Sequence, residues 1–281
     1  MVITPLCIAL AIIGAVAVLA VRGDHPTSAD SVTPNRSPSA SGPHRSAKTT
    51  TTTTVAVTAP QPLAGKVVGI DPGHNGGNFS DPSFINQMIW NGRESETCDT
   101  TGTETDDGYT EAEFNFNVAE LLRSDLVADG ATVVMTRNTN TGVGPCVDQR
   151  AQILNAAHPA VSIDIHADGG PATGRGFAVL EPVADGVNTS EIQASEAFGA
   201  DLIQSFQQTG MPISDYDGTD GVAYRPDLAG LNLTTEPKVL IECGNMRNAT
   251  DAAMLASPSF QQAAAAAMTA AIVSFVRSQP A

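Results

Sequence analysis

Basic and aromatic side chains are scarce in this sequence. The 281 residues include 14 lysines and arginines against 30 aspartates and glutamates, which gives a formal net charge of -16, and aromatic residues make up only 5% of the chain. An excess of negative charge repels the phosphate backbone of nucleic acids and anionic lipid headgroups. We therefore expect no nucleic acid among the partners of this protein.

Several motifs that identify common enzyme classes are also absent. The chain has no H-E-x-x-H, no G-x-S-x-G, no Walker loop and no G-x-G-x-x-G after a strand. These absences disfavour a helix-borne zinc protease, a serine hydrolase, a phosphate-loop NTPase and a dinucleotide-dependent enzyme. Any chemistry must come from residues that the fold brings together.

The amino-terminal part has the composition of an export segment followed by a tether. Residues 1–22 form an apolar run in which Arg22 is the only charged residue, which predicts a signal peptide or an uncleaved membrane anchor. Residues 23–62 are rich in Ser, Thr and Pro and predict a disordered tether. We expect an exported protein in the periplasm or the cell wall, either secreted or membrane-anchored.

Residues 63–281 alternate short Val- and Ile-rich runs with stretches of helical periodicity. The predicted strands are "KVVGID", "ATVVMTR", "AVSIDIHADGG", "RGFAVLEP" and "KVLIECGN". The predicted helices are "EAEFNFNVAELLRSDLVADG", "VDQRAQILNAAHP", "SEIQASEAFGADLIQSFQQTG" with a serine cap, and the apolar "SPSFQQAAAAAMTAAIVSFVRS", which we expect to pack flat on a sheet rather than to span a membrane. This pattern predicts a single α/β domain with a central, mostly parallel sheet flanked by helices.

Three predicted strands end in residues that carry chemistry. His74 follows the first strand, His166 lies at the end of "VSIDIH", and Glu242 follows "KVLI". Open parallel sheets bind small molecules and ions at the carboxyl ends of their strands, where these three side chains would meet. Two imidazoles with a carboxylate form the usual ligand set of a catalytic zinc ion.

The carboxylate ligand is expected from the helix that starts near Thr110. Glu111 lies on the apolar face of this helix, whereas Glu113 falls on the opposite, polar face. A carboxylate on the buried face needs a partner, which favours Glu111 as the ligand and leaves Glu113 as the solvated alternative. An ordinary first-turn acid, stabilised by the helix dipole, is the other interpretation of Glu111.

The order of several motifs resembles one known family. "IDPGHNGG", "TEAEFNFNVAELL", "VVMTR", "RAQILNAAHPAVSIDIHADGG" and "VLIECGNMRN" are similar to the motifs of zinc-dependent N-acetylmuramoyl-L-alanine amidases of the Amidase 3 class, over essentially all of residues 63–281. The resemblance implies an α/β fold, Zn²⁺ held by His74, Glu111 and His166, and Glu242 as the catalytic glutamate. One departure is Asp164, where the family usually has Ser.

The resemblance also implies the reaction. The expected activity is hydrolysis of the amide bond between N-acetylmuramic acid and the L-alanine of the peptidoglycan stem peptide, by a monomer acting on peptidoglycan or muropeptides. Alternatives are a zinc peptidase that cuts within the stem peptide and a non-catalytic wall-binding module. Asp164 points the same way as His166 in a regular strand, so it is either a hydrogen-bond acceptor for that ligand or an acid exposed at the strand end.

The long segment between His74 and Glu111 is predicted to lie over or beside the cleft, because its two ends carry expected zinc ligands. It contains Cys98, and Cys146 lies in the other long polar loop. Two loop cysteines of an exported protein usually pair, so we predict a Cys98–Cys146 disulfide. The competing pair is Cys98 with Cys243, which otherwise is expected to be a buried thiol.

Overall fold

The computed structural model describes residues 61–279, and its regular elements follow the alternation that the sequence predicts. The predicted leader, residues 1–22, and nearly all of the predicted tether, residues 23–62, lie outside the described residues. The strands are β1 (Val67–Pro72), β2 (Met88–Trp90), β3 (Ser95–Thr97), β4 (Thr132–Met135), β5 (Val161–Asp168), β6 (Ala178–Pro182), β7 (Val222–Arg225) and β8 (Lys238–Asn245). The helices are α1 (Pro82–Ile85), α2 (Glu111–Ala128), α3 (Val147–Ala157), α4 (Ile192–Phe206), α5 (Ala229–Asn232), α6 (Ala249–Leu255) and α7 (Pro258–Ser278).

The central sheet has six strands in the order β4-β1-β5-β8-β6-β7. All neighbouring strands are parallel except β6 and β8, which are antiparallel. The predicted α/β class with a mostly parallel central sheet is therefore confirmed. β2 and β3 form a separate antiparallel hairpin.

The two faces of the sheet have different roles, as the alternation along β8 shows. Val239 and Ile241 point into the large apolar core that α2, α4 and α7 cover. Leu240 points to the other face, into a small cluster with Leu180 and Leu231 beside α5. Because side chains alternate along a strand, Glu242 shares the face of Leu240. The second face therefore carries the polar residues.

The apolar closing helix α7 belongs to the large core on one face of the sheet and packs mainly on other helices. Its main contacts are with α2 and α4, and it runs antiparallel to α4, since Phe260 contacts Phe206 while Phe275 contacts Phe198. Among the described helices, α7 alone is long and apolar enough to cross a membrane, but half of that stretch is buried inside the protein. It functions here as a core helix.

Three local features differ from the sequence prediction. The segment between His74 and Glu111 contains α1 and the β2–β3 hairpin, and β7 lies in a region with no predicted strand. The predicted serine cap of α4 is wrong: the N-cap residue is Glu191, which ends a short 3₁₀ turn and makes no side-chain capping bond.

Candidate active site

The sheet brings most of the predicted site residues to one edge. β5 and β8 pair so that His166 lies beside Glu242 and Asp164 lies beside Leu240. Asp164 and His166 leave the same face of β5 because they are two residues apart. His74 follows the end of β1, which is the neighbour of β5 on the other side.

His74 is held by an unusual backbone turn. Its φ is +56°, in the left-handed region that non-glycine residues rarely adopt. The preceding residue has to be glycine, because a Cβ at Gly73 would overlap the ring of His166. The two imidazoles consequently meet edge to face, with ring centroids 4.9 Å apart.

Glu111 completes a cluster with the two histidines. The Thr110 hydroxyl accepts a hydrogen bond from the Glu113 backbone and so caps α2, which places Glu111 at the first helical position. Glu111 is buried, and its Oε1 is 3.3 Å from Nε2 of His74 and 2.8 Å from Nδ1 of His166. Glu113 is exposed, as its place on the polar face of the helix predicts.

The ring nitrogen of each histidine that does not face Glu111, which we call the outer nitrogen, lies close to a second carboxylate. Nδ1 of His74 is 3.1 Å from Oδ1 of Asp99, and Nε2 of His166 is 3.4 Å from Oδ1 of Asp164. The structure places Asp164 buried against His166 and not exposed at the strand end. Sequence reasoning missed Asp99, although its position next to Cys98, in a loop bounded by two expected ligands, is a signal that could have found it.

The charges in this cluster stabilise one another. Burial alone would lower the pKa of His74, but the carboxylates of Glu111 and Asp99 outweigh it and raise that pKa to about 9. Burial would raise the pKa of Glu111, but the two histidines hold it well below its ordinary value. The cluster is therefore a site where carboxylates stabilise positive charge.

Glu242 lies beside this cluster with part of its carboxylate unused. Its Oε2 atom is buried and has no hydrogen-bond partner among residues 61–279. Burial raises the pKa of Glu242 to about 8, and the charges of Glu111 and Asp168 add to this effect while His166 opposes it. A half-buried carboxylate with one buried, free oxygen and a pKa near neutrality has the properties of a general acid–base group.

One cavity of about 400 Å³ is lined by the two histidines and the four carboxylates that face or neighbour them: His74, His166, Asp99, Glu111, Asp164 and Glu242. The segment between His74 and Glu111 forms one of its walls, and the residues it contributes are Glu96, Thr97, Asp99, Thr100, Gly102 and Thr103. Gly102 lies so close to His74 and Glu111 that a Cβ there would overlap both side chains, and its φ of +72° also favours glycine. This wall is thus fitted closely to the cluster.

A disulfide fastens this wall to the rest of the domain. Cys98 is bonded to Cys146, the pair that the sequence predicts, and Cys243 is a buried free thiol in β8. Beside the disulfide, the backbone N–H of Val147 donates to the carbonyl oxygen of Cys98. Cys98, the neighbour of Asp99 in the chain, is therefore held both by the disulfide and by a hydrogen bond.

His74, Glu111 and His166 fit a metal ion. One ligand atom from each residue lies within 4.8 Å of the others. Two imidazole nitrogens and a carboxylate oxygen suit Zn²⁺, and three protein ligands leave a coordination position for water or substrate. Carboxylates on the outer histidine nitrogens are the usual supports of such ligands.

An α/β domain with a His–Glu–His cluster and a half-buried glutamate at its strand ends defines a candidate metal-dependent hydrolase. Comparison with protein families gives the particular group: the N-acetylmuramoyl-L-alanine amidase family, Amidase_3, matches residues 68–274. The chain therefore belongs to the Amidase_3 family of N-acetylmuramoyl-L-alanine amidases, as its motifs indicate. Membership of this family of cell-wall amidases implies an extracellular or cell-wall location.

Individual relatives agree with this assignment. The N-acetylmuramoyl-L-alanine amidase Rv3717 of Mycobacterium tuberculosis is 39% identical over 220 residues, which are 78% of this chain and 90% of the relative. The crystal structure of the amidase Ami1 from Mycobacterium smegmatis superposes with a TM-score of 0.73 at 39% identity and covers 77% of this chain and 99% of Ami1. The apo form of Ami1 from Mycobacterium abscessus gives 0.70 at 41% identity, over 76% and 99% of the two chains.

Proposed function

We propose that this protein is a zinc-dependent hydrolase that cleaves the amide bond between N-acetylmuramic acid and L-alanine of the peptidoglycan stem peptide. The observation that carries the proposal is the free, buried Oε2 of Glu242 beside the His–Glu–His cluster. The bond cleaved is the one named in the family and in the mycobacterial relatives.

His74, Glu111 and His166 would hold the zinc ion. When bound there, zinc would supply Lewis-acid activation of the scissile carbonyl and of the attacking water. The outer carboxylates of Asp99 and Asp164 would keep both imidazoles in the tautomer that binds a metal. The donor distances and the burial of the cluster support these roles.

Glu242 would move the proton that amide hydrolysis requires. Its free Oε2 can accept a proton from the attacking water and then deliver it to the leaving nitrogen, without which the amide bond does not break. Its Oε2 atom is buried in the wall of the cavity, which shields the transferred proton from bulk solvent. The same residue thus acts first as base and then as acid.

The experiment is mass spectrometry of muropeptides after digestion, with and without a metal chelator. We expect the intact sugar moiety and a stem peptide with a free L-alanine amino group, no turnover with chelator, and recovery after addition of Zn²⁺. Fragments cut within the stem peptide would instead indicate a peptidase, and the absence of any product with zinc present would indicate a wall-binding module.

The location and the segments around the domain are also part of this proposal. We propose that residues 1–22 direct export or anchor the chain in the membrane, that residues 23–62 form a tether, and that the catalytic domain acts as a monomer. The apolar and Ser/Thr/Pro-rich compositions of the two segments support this organisation. Amino-terminal sequencing of the exported protein would show whether residues 1–22 are removed.

A further inference from the structure

A continuous series of buried charged side chains connects the outer ring nitrogens of the two histidines. We call this series the buried ion chain; its members are Asp99, Arg150, Asp71, Lys238 and Asp164. They come from five different parts of the fold, and each side chain is at most 9% exposed. The two carboxylates at its ends are the ones that face the histidines.

One half of the buried ion chain serves His74. Asp99 contacts His74 through Oδ1 and Nη2 of Arg150 through Oδ2, at 3.1 and 3.2 Å. Arg150 also donates to the carbonyl oxygen of His74 at 2.8 Å, and its Nη1 is 2.9 Å from Oδ1 of Asp71. A single guanidinium thus fixes both the turn that carries the histidine and the carboxylate that faces its ring.

The other half serves His166 through Lys238, the first residue of β8. Its ammonium group is fully buried, 3.1 Å from Oδ2 of Asp71 and 3.5 Å from Oδ2 of Asp164. The other oxygen of Asp164 is 3.4 Å from Nε2 of His166. Lys238 therefore reaches the histidine only through a carboxylate.

Stability is a poor explanation for this arrangement. Lysine is almost never fully buried unless it is paired, and a buried ion pair is often no more stable than apolar residues of similar volume. A carboxylate buried against an imidazole, however, needs a fixed counter-charge to stay ionised and in place. Lys238 and Arg150 supply that counter-charge to Asp164 and Asp99.

We propose that Lys238 is a positioning residue that orients His166 for metal binding, because it holds Asp164 against the outer ring nitrogen of this histidine. Asp71 joins the Lys238–Asp164 pair to the matching Arg150–Asp99 pair behind His74. The inference rests on the proposed role of the histidines as zinc ligands. It assigns a role in metal binding to residues that do not contact the donor atoms of the metal ligands.

The test is a double-variant cycle on zinc affinity in the full chain. Zinc binding to Lys238→Met, Asp164→Asn and the double variant is measured by competition with a chromophoric chelator, and the visible spectrum of the Co²⁺-substituted proteins reports the ligand geometry. Each single change should weaken zinc binding by about tenfold or more. The double variant should bind no more weakly than the weaker single variant, because both changes break the same contact.

Wild-type affinity in Lys238→Met, or losses that simply add, would overturn the proposal. If Lys238→Met does not fold, the near-isosteric Asp71→Asn replaces it: this residue contacts neither histidine, yet its loss should weaken zinc binding, and an unchanged affinity would equally overturn the proposal. The matched control is Asp251→Asn, which breaks a buried pair with Arg175 elsewhere. Asp251→Asn should lower stability but leave zinc affinity unchanged. If it weakened zinc binding as much as Lys238→Met does, the loss would be an effect of general destabilisation and the proposal would fail.

One further variant separates this inference from the proposed function. If His166→Ala binds zinc as tightly as the wild type, the ligand assignment itself fails. If His166→Ala loses zinc while Lys238→Met keeps it, the ligand assignment stands and only the positioning role is refuted.

Discussion

Removal of the Cys98–Cys146 disulfide should destabilise the protein without dismantling its site. The bond closes a loop of 48 residues. By the chain-entropy relation, closing a loop of this length lowers the conformational entropy of the unfolded chain and so stabilises the folded protein by about 4 kcal/mol. This is a large share of the roughly 5–15 kcal/mol by which domains are usually stable. The Cys98→Ala/Cys146→Ala variant should therefore remain folded but unfold at a clearly lower urea concentration.

Native contacts other than the disulfide should hold the wall in the variant. The carbonyl oxygen of Cys98 accepts a hydrogen bond from Val147, and the backbone N–H of Asp99 donates to the carbonyl of Ile85. Arg150 holds the Asp99 carboxylate. Zinc affinity should consequently change by no more than about threefold, which is well under 1 kcal/mol.

The assay is urea unfolding followed by far-ultraviolet circular dichroism, with zinc affinity measured on the same samples. Wild type in reductant should behave like the double variant, and Cys243→Ala is the control for loss of a buried thiol outside the disulfide. A stability loss below about 1 kcal/mol would refute the entropic argument. A large loss of zinc affinity would show that the disulfide, and not the hydrogen bonds, holds Asp99 in place.

Four other substitutions test the roles of individual carboxylates in metal binding, catalysis and stability. Glu111→Ala should reduce zinc content well below stoichiometric, as measured by atomic absorption, whereas Glu113→Ala should not, and the reverse would refute the ligand choice. Glu242→Gln should keep its zinc but lose about two to four orders of magnitude in muropeptide turnover; loss of zinc would make it a ligand instead. Burial, aided by the charge of Glu196, raises the pKa of Glu181 to about 7, above its unfolded value of 4.5. The folded protein favours the protonated carboxyl group, so the contribution of Glu181 to stability is fully present below the unfolded pKa and is lost as the pH rises through the folded pKa. Glu181→Gln should therefore be more stable than wild type by about 1 kcal/mol above about pH 8. The two proteins should be equally stable near pH 4, and thermal denaturation at both pH values measures the difference.

Much of the site could be predicted because it depends on local periodicity. Residues at the ends of parallel strands share one edge of a sheet, which brings His74, His166 and Glu242 together without knowledge of the strand order. The helical face separates Glu111 from Glu113 in the same way. Each of these inferences needs only the direction in which a side chain leaves its own element.

The parts that could not be predicted depend on contacts between distant segments. Asp99 lies in a wall with no periodicity, and its place against His74 is set by Arg150 and by backbone hydrogen bonds to Ile85 and Val147. The antiparallel pairing of β6 with β8 leaves no trace in an alternation of strands and helices. The β2–β3 hairpin, in contrast, had a readable signal that was overlooked: Asn91-Gly92 between two short runs favours a tight hairpin turn, and Gly92 has a φ of +103°.

The directions of β1 and α7 have a practical consequence for attaching this domain to other objects. The pocket lies at the carboxyl ends of the strands, while residues 61–66 enter at the amino end of β1. α7 begins near the pocket, where Gln261 contacts Tyr109, and its 21 residues carry the chain about 30 Å away to the far end. Both ends of the described range thus emerge on the side opposite the cleft. A bead, a surface or a fused protein joined at either end of this range would lie at the side opposite the carboxyl ends of the strands.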